Sequence, residues 1–300
     1  MAFGDARYPE AKPAPVLFCV DVTGSMTFKV NHGGDKDRMD LANDMIETFI
    51  RYVLSVGKAA DAVEVAFVLF AHEIVLETDF VRLKKLSEAD FHNAKMVNCW
   101  AGDAPWKLRV VEAKDESNQI NRSVTPRFSC CRDEGTRIDS AVLYCYDKIW
   151  DYVKRYIYVD GKGEKKAEFY APHFVLITDG DPADNKRRLR DTASAHQDAL
   201  DKMYDHSFTG KDGTNMIVPI TVGVYGKEIG QEAIRRMEDY GAHFEDGYFS
   251  VRDEKAADDF EKAARFLCKT VVKSLNLAWS RIDDPEEDSR GKGVAEVFGE

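Results

Sequence analysis

Three short stretches of this chain hold hydroxyl and carboxylate side chains beside apolar segments. Asp21-Val22-Thr23-Gly24-Ser25-Met26 follows the run Val16–Val20. Gly135-Thr136 precedes a helical pattern that begins at Ile138, and Thr178-Asp179-Gly180-Asp181 follows Phe174–Ile177. Each alone has an ordinary use, since Asp, Thr and Ser cap helices and Asp-Gly makes turns. Together, Asp21, Thr23, Ser25, Thr136 and Asp179 supply two carboxylates and three hydroxyls, an all-oxygen donor set of modest charge. Such a set suits Mg²⁺, with Mn²⁺ as a substitute and water completing an octahedron. It has too few carboxylates and carbonyls for a calcium cage and is too hard for zinc. The flanking Asp181 and Asp184 read as solvated loop residues.

Those loops must be brought together by the elements that carry them. From about residue 15 to residue 276, short apolar runs alternate with helical periodicity. This alternation predicts an α/β fold: a doubly wound, mostly parallel central sheet with helices on both faces. Strands are expected at Val16–Val20, Val63–Ala71, Ile74–Thr78 (a hairpin partner of the second), Phe174–Ile177, Ile217–Val224 and Ala242–Val251. Helices are expected over Leu41–Leu54, ending near Gly57, then over Ile138–Tyr156, Leu189–Met203, Ile229–Tyr240 and Phe260–Leu275. Pro219 has to sit at the start of its strand or at an irregularity. His196 lies on an apolar helical stripe and reads as a packed core residue. In the sheet order 3-2-1-4-5-6, strands 1 and 4 are neighbours whose connections diverge, and ligands bind in the crevice at their carboxyl ends. Asp21 and Asp179 end those two strands, and Thr136 opens the helix that leads to the fourth.

Four stretches stand outside this rhythm. Residues 1–14 form an N-terminal extension to a domain spanning 15–279. Residues 92–134, with Trp100 and Trp106, are too long for a structureless loop and read as an insertion with strands of its own, such as Lys107–Glu112. Its tryptophans are expected to contact a partner. Residues 157–170 form a smaller excursion that turns at Asp160-Gly161-Lys162-Gly163, and residues 280–300 form an acidic tail expected to be mobile.

Asp21-x-Thr23-x-Ser25, the later Thr136, and Asp179 in a Thr-Asp-Gly context resemble the metal-ion-dependent adhesion site of von Willebrand factor A domains. The resemblance covers roughly residues 15–276 in element order. The first hydroxyl of that motif is usually Ser; Thr23 supplies an equivalent oxygen with an added methyl. The resemblance implies that Thr23, Ser25 and Thr136 offer hydroxyl ligands and that Asp21 and Asp179 hold Mg²⁺ directly or through water. It also implies that an Asp or Glu of a partner protein completes the metal. Similarity to intracellular bacterial members implies partners such as AAA+ ATPases, or stress-response and phage-defence assemblies. On this reading the chain is a binding module and not an enzyme.

Composition narrows the alternatives. The net charge of −11 argues against general nucleic-acid binding, although Lys186-Arg187-Arg188-Leu189-Arg190 is a local basic stretch and a nucleic-acid end-binding scaffold is one alternative. The other is a Mg²⁺-dependent phosphohydrolase. In a haloacid-dehalogenase-like phosphatase a second Asp two residues beyond the nucleophile protonates the leaving group, and Thr23 stands there instead. Neither a phosphate-binding G-x-x-x-x-G-K-[ST] loop nor a G-x-S-x-G elbow is present. No membrane-length apolar run or secretory signal pattern appears, so the expected location is the cytoplasm. Cys99, Cys130 and Cys131 with His92 lack usual zinc spacing, and Cys19, Cys145 and Cys268 fall in core patterns. Alkylating the denatured protein without reductant should therefore add six labels by intact mass; fewer would show disulfides or bound metal.

Overall fold

Ala14–Asp21 and Val63–Phe70 are buried at every position, as strands covered on both faces must be and as continuous apolar runs allow. They are β1 and β2 of a computed structural model that describes residues 12–30, 36–92, 106–131, 135–159, 161–163, 165–167, 169–179, 194–205, 217–225, 231–241, 247–252 and 256–275. Between them lie helices α1 (Arg38–Ser55) and α2 (Gly57–Ala62). After β2 come β3 (Ile74–Glu77), β4 (Val81–Arg82), α3 (Glu88–His92), β5 (Trp106–Lys114) and β6 (Ile120–Phe128). The chain continues through α4 (Ile138–Val153), β7 (Ile157–Val159), β8 (Lys165–Ala167) and β9 (His173–Thr178). It closes with α5 (Ala195–Asp205), β10 (Val218–Tyr225), α6 (Gln231–Gly241), β11 (Tyr248–Arg252) and α7 (Ala256–Ser274).

The main sheet runs β11-β10-β9-β1-β2-β3, with β4 also paired to β2. Contacts among β11, β10, β9, β1 and β2 are all parallel, and β3 and β4 run antiparallel to β2. This is the doubly wound order expected from the alternation of runs. Successive strand residues point to opposite faces, so Val16, Phe18 and Val20 join one core with α1 and α7, and Leu17 and Cys19 join the other with α4, α5 and α6. Phe18 stacks on Phe67 at 5.6 Å and meets the edge of Phe49 at 5.4 Å. Burying each such ring contributes about 1.5–3 kcal/mol.

Pro219 is the second residue of β10, an interior strand. It pairs with Phe174 of β9, but β11 joins β10 only from Thr221 onward. The missing N–H therefore falls where β10 has a neighbour on one side only. α1 stops at Ser55, near Gly57 as expected, and Gly57 begins α2. A Cβ on Gly57 would lie 2.7 Å from Asp115 Oδ2, so a side chain at this position would have to displace the carboxylate of the β5–β6 turn.

The insertion folds as a hairpin, β5 against β6 from Trp106↔Phe128 to Lys114↔Ile120. Its inner face packs on α1. Asn43 donates from Nδ2 to Phe128 O at 2.9 Å and accepts from Phe128 N–H at 2.8 Å, and Asn121 donates to Leu54 O at 3.0 Å. Trp106 is 7% exposed and packs near Phe91. It serves the core, which corrects the expectation that it faces a partner. The outer side of the hairpin leaves Val110 64% and Ile120 51% exposed. A second small hairpin pairs β7 with β8 around the predicted 160–163 turn. Residues 1–11, Cys99, Trp100, Asp181, Asp184, the Lys186–Arg190 stretch and the 280–300 tail lie outside the described residues.

Asn43→Ala would leave a buried N–H and a buried C=O of Phe128 without partners. We expect it to lower unfolding free energy by about 2–4 kcal/mol in urea titration. A loss below about 1 kcal/mol would show that water replaces both bonds.

Candidate metal-binding site

Register places the site. Val20 of β1 pairs with Ile177 of β9, so Asp21 and Thr178 lie side by side one step further on, and Asp179 follows. Asp21 is fully buried and Asp179 is 2% exposed. The Asp21 carboxylate is held on both oxygens. Oδ1 accepts from Thr23 N–H at 2.9 Å and from Thr23 Oγ1–H at 2.7 Å, and Oδ2 accepts from Thr178 Oγ1–H at 2.7 Å. Thr23 Oγ1 and Ser25 Oγ are 3.0 Å apart. Because Thr23 has given its one hydrogen to Asp21, Ser25 is the donor in that pair.

These bonds join Asp21, Thr23, Ser25 and Thr178 in one cluster, and Asp179 is the next residue after Thr178. Thr136 is 2% exposed in the loop before α4. The neighbouring Arg137 N–H bonds to Ala71 O at 2.9 Å, and Val22 N–H bonds to Phe70 O at 3.0 Å. The Thr136 loop is thus tied to the same carboxyl end of the sheet as Asp21. Cys131 N–H reaches Val22 O at 2.7 Å, fastening the exit of the hairpin insertion to the same loop. Ser25 is half-buried and Phe28 is 60% exposed, so the cluster meets solvent along the Ser25 side.

Electrostatics ask for a cation. Burial, and then the negative charge of Asp179, push the Asp21 carboxyl up to about 7, against the opposing pull of hydrogen bonds from Thr178 and Thr23. A positive charge is already present: Arg38 Nη1 lies 3.2 Å from Asp179 Oδ2 and 3.4 Å from Ser25 O. Arg38 is the first residue of α1, whose start is set by a capping box in which Asp37 and Asp40 satisfy one another's backbone N–H groups. Arg38 N–H also bonds to Phe28 O at 3.2 Å, and the guanidinium carbon lies 5.5 Å from the Phe28 ring centre. Oxygen-only donors around two buried carboxylates fit Mg²⁺ or Mn²⁺.

No protein-family model matches the chain, and no curated protein is similar to it in sequence. Several solved structures are similar to it at TM-scores below 0.5. The vWF domain of the type V pili tip protein Mfa5 from Porphyromonas gingivalis is 11% identical over 91% of this chain and 98% of that one, with a TM-score of 0.46. The pilus adhesin SpaC from Lactobacillus rhamnosus GG is 14% identical over 88% of this chain and 31% of its own, at 0.48. A mutant of the PilB minor pilin from Streptococcus sanguinis is 12% identical over 90% of this chain and 64% of its own, at 0.47. This chain thus spans just under two thirds of the pilin's length. Likeness at this level carries nothing about function.

Two residues of the site escaped the sequence reading. Thr178 appears in the motif only as context, yet it fixes Asp21. Its signal was register, since a hydroxyl ending β9 must face the end of β1. Arg38 had a weaker signal: a cation in the first turn of a helix opposes the helix dipole and so wants another reason to be there.

A second polar centre lies three residues beyond Thr136. Asp139, fully buried, accepts from the Tyr240 hydroxyl, contacts His196 Nδ1 at 3.1 Å and accepts from Arg236 Nη1 at 3.3 Å; His196 Nε2 also contacts Asp239 at 3.3 Å. His196 is therefore a polar cross-link among α4, α5 and α6, which corrects its reading as an apolar-face core residue. The carboxylates of Asp139 and Asp239 raise the His196 pKa against the effect of its partial burial.

No three His, Cys, Asp or Glu side chains form a metal cluster among the described residues. Cys130 is partly exposed and Cys131 is buried in the core, while Cys99 and the His92 side chain lie outside the described residues. No disulfide joins Cys19, Cys130, Cys131, Cys145 or Cys268.

The Asp21 carboxyl binds its proton more tightly folded than unfolded, so its contribution to metal-free stability falls as pH rises from about 4 to about 7. A divalent cation opposes that loss. The rise in Tm produced by Mg²⁺ should therefore be larger at pH 8 than at pH 5, measured by differential scanning calorimetry against EDTA. Equal shifts would separate metal binding from Asp21.

Proposed function

We propose that this chain is a metal-dependent protein-interaction module. On this reading Asp21, Thr23, Ser25, Thr136 and Asp179 hold Mg²⁺, directly or through water, at the carboxyl ends of β1 and β9. An Asp or Glu of a partner protein binds there as the outer ligand. When bound, the ion supplies a strong cationic centre for that carboxylate. The observation that carries the reading is the pair of buried carboxylates, Asp21 and Asp179, beside the buried Thr23 hydroxyl and the half-buried Ser25 hydroxyl.

The chain's own residues favour binding over turnover. Asp21 accepts three hydrogen bonds across its two oxygens, which holds it as an oriented acceptor and blunts it as a nucleophile. Thr23 stands where a phosphatase would need its proton donor. Phe28, exposed at the rim, offers apolar surface next to the charged centre.

The protein immobilised with Mg²⁺ should retain a partner that EDTA releases. Asp179→Ala should retain none, and should show no calorimetric Mg²⁺ binding at millimolar concentration while keeping its circular dichroism. A partner held equally well in EDTA would place recognition elsewhere. Unchanged Mg²⁺ binding in Asp179→Ala would remove the site.

A further inference from the structure

A third charge belongs to the cluster. The Arg38 side chain is 9% exposed and that of Asp179 3%, so their ion pair is largely buried and only weakly screened. We propose that Arg38 is a fixed cation of the site that weakens metal binding and strengthens capture of an anionic ligand. This rests on the metal-site reading above.

Charge balance gives the argument its direction. With both carboxylates ionised, Asp21 and Asp179 would present two negative charges to an incoming divalent ion. Arg38 beside Asp179 leaves one. The metal is thus held less tightly than two carboxylates alone would hold it. Once it is bound, the centre carries a net positive charge where it would otherwise be neutral. Uncompensated positive charge in a mostly buried crevice is worth more than at an open surface, because the effective dielectric is lower. The ligand best matched to it is a carboxylate.

Donor geometry points the same way. Nη1 is engaged by Asp179 and Ser25, but the buried Nε–H has no hydrogen-bond acceptor among the described residues. Buried donors are seldom left so. Helix stability does not account for the residue either, since a cation at the first position of α1 faces the positive end of its dipole. Arg38 is kept in place by the Phe28 carbonyl and ring on the side where Ser25 meets solvent. An acidic group entering there meets metal and guanidinium together.

The test uses the whole 300-residue chain with Mn²⁺ and acetate as probes. Arg38→Gln should bind Mn²⁺ about tenfold or more tightly than wild type. In the same variant the acetate concentration needed to perturb the water-proton relaxation of bound Mn²⁺ should rise by about tenfold. Arg38→Lys, which keeps the charge, should keep wild-type Mn²⁺ affinity. The two changes in Arg38→Gln have opposite signs, which a general loosening of the site would not produce. If wild type takes up no Mn²⁺, the metal-site reading falls. If it does, and Arg38→Gln binds Mn²⁺ no more tightly or acetate no less tightly, the inference alone is overturned. Should Arg38→Gln fail to fold, ¹⁵N-arginine side-chain spectra of wild type decide. The Nε–H signal most broadened by Mn²⁺ is assigned to Arg38, and in the Mg²⁺-loaded protein it should shift with acetate. A signal that stays still overturns the role.

Discussion

Two carboxylates removed from water at the ends of adjacent strands set the terms for everything near them. Parallel pairing of β1 with β9 leaves Asp21 and Asp179 no means of separating, and burial denies each the solvent that would make its charge tolerable. The surroundings answer with donors: a backbone N–H and two threonine hydroxyls on Asp21, and a guanidinium on Asp179. The start of α1 serves the same need, because the Asp37–Asp40 capping box fixes the residue that carries the guanidinium. A buried ion pair is a poor source of net stability, since desolvation cancels most of the attraction. On the proposed function, the pair serves what the cluster binds more than what it holds together.

The fold could be read from the chain because burial on both faces demands continuous apolar runs, and Val16–Val20 and Phe174–Ile177 have no other use. The same logic placed Asp21 and Asp179 together, for topology makes strands 1 and 4 neighbours before any contact is known. What could not be read depended on directions of side chains across sequence. Trp106 looked available to a partner, and only the packing of the hairpin on α1 shows it committed to the core. The helix pattern stops near Gly57, as α1 does, but it does not show that Gly57 lies against Asp115 of a turn distant in sequence. Arg38 reaches Asp179 from far along the chain, and no periodicity encodes that contact.

His196 illustrates a similar limit. Helical spacing marked its stripe correctly, but period alone cannot tell whether a half-buried ring packs or bonds. It bonds, to Asp139 from α4 and Asp239 from α6. Three helices on one side of the sheet are thereby pinned near the loop that carries Thr136, so that loop is braced from behind as well as by Ala71.

The hairpin insertion is joined to α1 along most of the helix. Arg127 reaches Asp44 and Asp40, Arg109 reaches Glu47, Asn43 grips Phe128, and Asn121 holds Leu54. Its exit strand also grips Val22 through Cys131. The hairpin therefore acts as a splint that links the first loop to the helix behind it. If the site takes a carboxylate as proposed, a ligand arriving at such a mount would surrender little entropy to order its contacts. On the proposed function, selectivity would then come from the shape of that frame, and a partner whose acidic residue is offset would find no compliant wall to meet it.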